Sequence, residues 1–248
     1  ESNQFKLCTS FAAVSPLYLR CFLTMYRLFI DIDHSNTNHD ELFELFLSCP
    51  SSAAVVDKAL TLYYRVIWDY CSTHPTPNID VKSSTVTSDN RARAEVLMTI
   101  LSLIYASRDG LTDIEMWDLV FAVSRIHAEP PLKALIMKIV SNFTVNINGK
   151  FNFSHEVYSQ VVYDKYIASK TSLLVWHQTM SDYFAKLPVC ERKLICLPYH
   201  LEESGASQKV RNCLTDIDMF RLWWTAPFKK DFLKFWMYLL TGSSDNSP

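Results

Sequence analysis

Glycine is the residue this sequence has least of. Only Gly110, Gly149, Gly205 and Gly242 occur in 248 residues. No two are close enough for a Walker A loop or a dinucleotide-binding fingerprint, both of which cluster glycines so that backbone amides can approach phosphate. The chain alone therefore lacks either phosphate cradle, and no ADP or ATP site of its own is expected. An excess of charge of one sign is missing too. The 24 Lys and Arg stand against 26 Asp and Glu, a formal net charge of −2. A strong nucleic-acid or membrane-surface binder needs a basic face, so neither specific nucleic-acid binding nor membrane attachment is expected. There is no apolar run of the roughly 18 residues that a membrane-spanning helix requires. Gly-x-Ser-x-Gly and His-Glu-x-x-His are both absent, so neither a nucleophile elbow nor a helix-borne zinc pair is nominated. The N-terminus has no Met and no basic-then-apolar signal pattern, and reads as the middle of a longer protein.

What is present is a folded, apolar-rich chain, long enough for one large or two to three small domains. Its seven cysteines are odd in number, scattered, and mostly on apolar helix faces. They read as reduced core thiols of a cytoplasmic protein. Cys190, Cys196, His200 and Cys213 could be pictured around zinc. Their spacing is looser than a zinc knuckle, and they lie among Leu194, Leu197 and Leu201, so core packing is the better reading and no metal is expected. Asn142-Phe-Thr144 and Asn152-Phe-Ser154 match the glycosylation triplet by chance, on that compartment logic.

Hydrophobic periodicity gives a mainly α fold with one β-hairpin. Residues 16–30 form a helix with Pro16 in its first turn and Leu19, Phe22, Leu23, Tyr26 and Phe29 on one face. Asp40 can cap a helix over 41–48, and Ser51 or Ser52 can start another to Cys71. These make a helical domain over 1–71. Residues 72–93, rich in Pro, Ser, Thr and Asp and aperiodic at first, read as a linker or insertion. A second unit, 94–154, has a helix from Glu95 to Ser107, a stop at Asp109-Gly110, and a capping box at Thr112-x-x-Glu115. The helix after it is expected to bury Ile114, Trp117, Leu119 and Val120. Another begins at Pro130-Pro131 and runs to Phe143.

A tight hairpin follows. Val145 and Ile147 alternate with polar residues, Asn148-Gly149 suits a type I′ turn, and Phe151 and Phe153 alternate again. Three helices followed by a two-stranded wing is the order of a winged-helix domain. His155 stands where the wing enters a helix, and by itself is more often a structural histidine than a ligand. The reading helix of a DNA-binding winged helix would carry only Lys133 and Lys138, with Lys150 on the wing, few for duplex binding. Residues 155–242 read as a second, antiparallel helical domain, and 243–248 as a disordered tail. The aromatic-rich end of that domain includes Trp223, Trp224, Phe228, Phe232 and Trp236. The bland reading is a terminal helix pair packing on the core or on a neighbour. The functional one makes these residues the candidate interaction surface for a protein partner, because Trp buries a large area and keeps a polar handle, with a membrane-surface helix the weaker alternative.

Four local patterns, in order, resemble one family. Ser15-Pro16-Leu17-Tyr18-Leu19 is similar to the helix start after the ATPase core of NACHT-type STAND NTPases. Leu103-x4-Arg108-x-Gly110-Leu111-Thr112-x2-Glu115 looks like the helix–turn–helix of their winged-helix domain. Phe151-x-Phe153-x-His155 resembles their Phe-x-His motif. Leu197-Pro198-Tyr199-His200-Leu201-Glu202 looks like a segment of the nephrocystin-like subgroup that carries tetratricopeptide or WD40 repeats. The resemblance implies a regulatory module between an upstream NTPase core and downstream repeats, its partners in the parent protein. It implies that Pro16 walls the nucleotide base and His155 contacts the β-phosphate, with ADP or ATP held by the upstream core. Walker A and Walker B have no counterpart here, so the chain is expected not to be an enzyme by itself.

Overall fold

A computed structural model of the chain describes residues 6, 15–32, 38–74, 83–225 and 227–241. Cys8, Gly242 and the tail expected over 243–248 lie outside the described residues. The architecture is mainly α with one small antiparallel sheet. The chain divides into two units. One holds Glu1–Tyr105 with Asp109–Ala168, and the other holds Ala106–Arg108 with Ser169–Pro248. The first unit takes in both the helical segment and the hairpin segment, together with the helix that follows His155.

The first unit opens with α1 (Pro16–Ile32), α2 (His39–Leu47) and α3 (Ser52–Thr73). The Ser15 hydroxyl accepts a bond from the Tyr18 amide at 3.4 Å, which helps start α1. Phe22 on the buried face of α1 meets Phe43 and Phe46 of α2 edge-on. Phe29 stacks on Tyr63 of α3, whose hydroxyl donates to the Met25 carbonyl at 2.9 Å. Burying this aromatic area is the main favourable term holding the three helices together. Asn38, rather than Asp40, caps α2, its side-chain oxygen accepting from the Asp40 amide at 3.1 Å. Asp40 sits in the first turn, where its charge still favours the helix dipole. Of the two serines that could start α3, Ser51 is the one that caps it.

The segment expected to be linker contains α4 (Ser83–Ala94). Its sequence, SSTVTSDNRARA, is poor in helix formers and carries no apolar stripe. Tertiary contact supplies what propensity does not. Arg93 is almost wholly buried and donates to the Cys71 and His74 carbonyls at the C-terminal end of α3, at 3.4 and 2.9 Å. The same guanidinium pairs with Glu129.

Next come α5 (Val96–Ala106), β1 (Leu111–Thr112), α6 (Asp113–Ser124), α7 (Pro130–Phe143), β2 (Thr144–Ile147) and β3 (Lys150–Phe153). The sheet order is β1-β3-β2, so a third strand joins the hairpin. Gly110 makes that possible. Its φ is +76°, and a Cβ there would lie 2.5 Å from the Phe151 carbonyl oxygen. The hairpin turn has φ +53° at Asn148 and +80° at Gly149, the two positive values a type I′ turn needs. The capping box forms in full: Glu115 accepts from the Thr112 amide at 2.9 Å, and Thr112 accepts from the Glu115 amide at 3.2 Å. It also corrects the expected buried face. Glu115 and Met116 turn inward while Ile114 is 72% exposed, and Trp117 is half-buried. α8 (Glu156–Val162) follows and runs into a π-helical turn, Tyr163–Ile167. Lys165 there binds Asp57 and Thr61 of α3.

The second unit contains α9 (Lys170–Lys186), α10 (Glu191–Glu203), α11 (Ser207–Thr215), α12 (Ile217–Trp223) and α13 (Lys229–Thr241). Its centre is a histidine pair. His177 of α9 and His200 of α10 approach at 2.9 Å, Nδ1 to Nδ1, so one donates and the other accepts. The His200 ring is fully buried and stacks on Phe184. Burial, then the neighbouring His177, Arg192 and Arg108, lower the His200 pKa to about 3. Burial also lowers that of His177, with Glu203 opposing. Pro198 lies inside α10 and cannot donate to the preceding turn. In that turn Arg108 donates to the Ile195 carbonyl at 3.3 Å. Arg108 also pairs with Asp231 at 2.9 Å and lies over the Tyr199 ring.

Two predictions follow from these contacts. Arg93→Met leaves the Glu129 carboxylate and two carbonyls without their partner, and should lower stability by about 3 kcal/mol in urea unfolding. The histidine pair sets a pH dependence. Above pH 6.5, the ordinary value, both rings are neutral folded or unfolded and pH has little effect through them. Below it the unfolded chain takes up protons that the folded pair refuses, so stability should fall from pH 6.5 toward 3. His200→Phe should be less stable at neutral pH, because His177 loses its partner. Its unfolding midpoint should vary less with pH than that of the native chain.

Candidate functional site

His155 sits in extended backbone, φ −157° and ψ 146°, as the N-cap of α8. The hairpin delivers it there: the Ser154 amide and hydroxyl both donate to the Phe143 carbonyl, at 2.9 and 3.1 Å, tying the exit of β3 to the end of α7. The Val157 amide donates to His155 Nδ1 at 3.1 Å. An accepting Nδ1 carries no proton, so the neutral ring is held as the Nε2–H tautomer. The ring is exposed. Capping thus leaves a hydrogen-bond donor on an exposed ring.

One turn on, Tyr158 is buried beneath this residue, its ring edge-on to both His155 and Phe143. The Cys21 thiol of α1 donates to the Tyr158 hydroxyl at 3.7 Å. Burial raises the pKa of both groups, and the Arg20 charge acts against it in each case. A guanidinium on α1 therefore acts electrostatically on the same residues that support His155. Pro16 is exposed at the start of α1, and the helices carrying Pro16 and His155 meet through Cys21 and Tyr158. Arg20, Cys21 and Tyr158 carry no local sequence signal for a shared site, since 137 residues separate the contacting pair.

The aromatic residues of the second unit divide between core and surface. Trp223 and Phe232 are buried and belong to the core rather than to a surface. Trp223 packs against Phe232 and Phe235, both at 5.9 Å between ring centres. The reason is the turn between α12 and α13, which folds the two helices so that these rings face each other. Phe228 and Trp236 are half-buried, and Trp224 alone of the five is exposed. Lys229 lies 4.2 Å over the Trp224 ring. The cysteines and histidine once pictured around zinc have other neighbours: His200 faces His177, and the Cys213 thiol lies 3.9 Å from the Met219 sulfur. Six described cysteines are free thiols, five of them buried. Burial raises the Cys71 and Cys213 thiols to about 11, which makes them poor nucleophiles at neutral pH.

In the second unit the Arg108 guanidinium lies 5.8 Å from the centre of the Tyr199 ring. Among the described residues no helix is long and apolar enough to cross a membrane.

No family model matches the chain, and no solved structure matches it. It is similar to a TPR repeat-containing protein of Dictyostelium discoideum, 24% identical over 140 residues, which is 56% of this chain and 8% of that protein. The chain thus spans less than a tenth of the length of this relative.

The capping role of His155 is separable from any ligand role. His155→Ala removes the cap and should cost about 1 kcal/mol in denaturant unfolding. His155→Asn keeps an N-cap acceptor without the imidazole and should unfold close to the native chain.

Proposed function

We propose that this chain is the regulatory, nucleotide-state-sensing and interaction part of a STAND-type ATPase, and that it is not catalytic by itself. In this reading residues of the first unit supply a helical domain and a winged helix, α5 to β3, and the second unit supplies the second helical domain. His155 contacts the β-phosphate of ADP or ATP held by an upstream P-loop core, and Pro16 walls the base. The observation that carries the reading is the geometry at His155. A cap that uses Nδ1 leaves Nε2 as an N–H donor on an exposed ring, the form that phosphate oxygen accepts from. The scarcity of glycine supports placing the phosphate cradle outside this chain. Likeness to a TPR repeat-containing protein supports repeats as the downstream companion, and protein partners as the output. The free thiols support a cytoplasmic location.

A winged-helix nucleic-acid binder is the alternative class. Both cations of α7 are already engaged, which favours the regulatory reading. Lys133 lies over the Trp117 ring, and Lys138 donates to the Asp31 carbonyl at 3.3 Å.

The test is ADP affinity, measured by calorimetry on this chain and on a longer polypeptide that includes an upstream P-loop core. The isolated chain should bind ADP weakly or not at all. In the longer polypeptide His155→Asn, which preserves the cap, should lower ADP affinity about 10- to 150-fold, as expected for one lost charge-assisted bond. Tight ATP binding by the isolated chain, or unchanged ADP affinity in the variant, would sink the assignment.

A further inference from the structure

Helix α13 has two apolar faces, and among the described residues only one of them is buried. Phe232, Phe235 and Leu239 point into the second unit and are buried. On the opposite side Leu233, Met237 and Leu240 are 52%, 58% and 68% exposed. Their spacing of i, i+4 and i+7 puts them in one stripe about two turns long. Half-buried Trp236 borders it. Trp224, 52% exposed, adds its indole where Lys229 covers the ring, one turn before Leu233. Single exposed apolar residues are ordinary on protein surfaces, but three in register on one helix, beside a tryptophan, form a patch of the kind that recognises a partner.

Charge on this helix is sorted around the stripe. Lys230 and Lys234 are exposed and flank it on one side, with Lys229 at its start. The sole acid of α13, Asp231, is turned to Arg108 on the side facing the second unit. Glu202 of α10 acts on Lys234 from the inner side. The outer flank therefore presents lysines beside an apolar seam. The complementary shape is a helix that repeats the seam and carries carboxylates beside it, packing side by side with α13.

We propose that the outer face of α13 is a docking site for an acidic amphipathic helix of a protein partner. Leu233, Met237 and Leu240 make the seam, Trp224 is the aromatic anchor at its start, and Lys230 and Lys234 select acidic flanks. This site is separate from His155 and stands whether or not the nucleotide reading holds.

The test uses the full chain and a fluorescein-labelled synthetic helix of about five turns, with Leu at i, i+4 and i+7 and Glu beside them. Fluorescence anisotropy should show binding that weakens as salt is raised. Met237→Asp, at an exposed position that leaves the far-ultraviolet dichroism unchanged, should weaken it roughly 10-fold or more. Lys230→Glu with Lys234→Glu should shift preference to a Lys-flanked version of the peptide. The proposal is overturned by absence of binding, by equal binding in Met237→Asp, or by native preference for the Lys-flanked peptide. It is also overturned if the chain adsorbs to phosphatidylserine vesicles while ignoring the peptide, which would assign the face to a membrane surface.

Discussion

One buried guanidinium sets the first unit. Arg93 satisfies carbonyls at the end of α3 and pairs with Glu129, the N-cap residue of α7. Glu129 makes no side-chain capping bond, because its carboxylate is taken by Arg93. A charge so buried is tolerable only when several acceptors surround it. Those acceptors come from the end of α3 and the start of α7, so the helical segment and the hairpin segment are bound as one body. Everything that positions His155 is downstream of that union: α7 leads into the sheet, the sheet exits onto the Phe143 carbonyl, and α8 begins there. Its Tyr158 then meets Cys21 of α1.

Local chemistry was readable from the sequence wherever a residue can do one thing only. Asn148-Gly149 specified a type I′ turn, Thr112 and Glu115 specified a capping box, and Ser51-Ser52 marked a helix start. The signals fail where long-range contact overrides local preference. α4 is a helix despite Ser, Thr, Asp and Asn, because Arg93 at its end has distant partners. β1 is two residues long and has no period to detect; its trace in the sequence is Gly110, which read only as a stop. Ile114 carried the apolar pattern, yet the capping box turns Glu115 inward instead. Aromatic density alone left Trp223 and Phe232 open between core and surface, because it does not say which face of a helix turns inward.

The candidate site was legible to the same extent. The position of His155 at the hairpin's exit followed from the pattern, and so did its place before a helix. Its tautomer did not, since that depends on the Val157 amide reaching back to Nδ1. Nor did the supporting contacts of Tyr158, Cys21 and Arg20, or the pairing of His177 with His200 across two helices. These contacts divide the work of the two units. The first holds a polar donor on an exposed ring, and the second buries a neutral histidine pair and leaves an apolar seam outside.

The most direct test of the account is the nitrogen-15 spectrum of the His155 ring at neutral pH, with and without ADP, in a polypeptide that includes the nucleotide-binding core. The account predicts the Nε2–H tautomer in both states and a shift confined to Nε2 when ADP binds. An Nδ1–H tautomer, or an Nε2 signal indifferent to ADP, would contradict it.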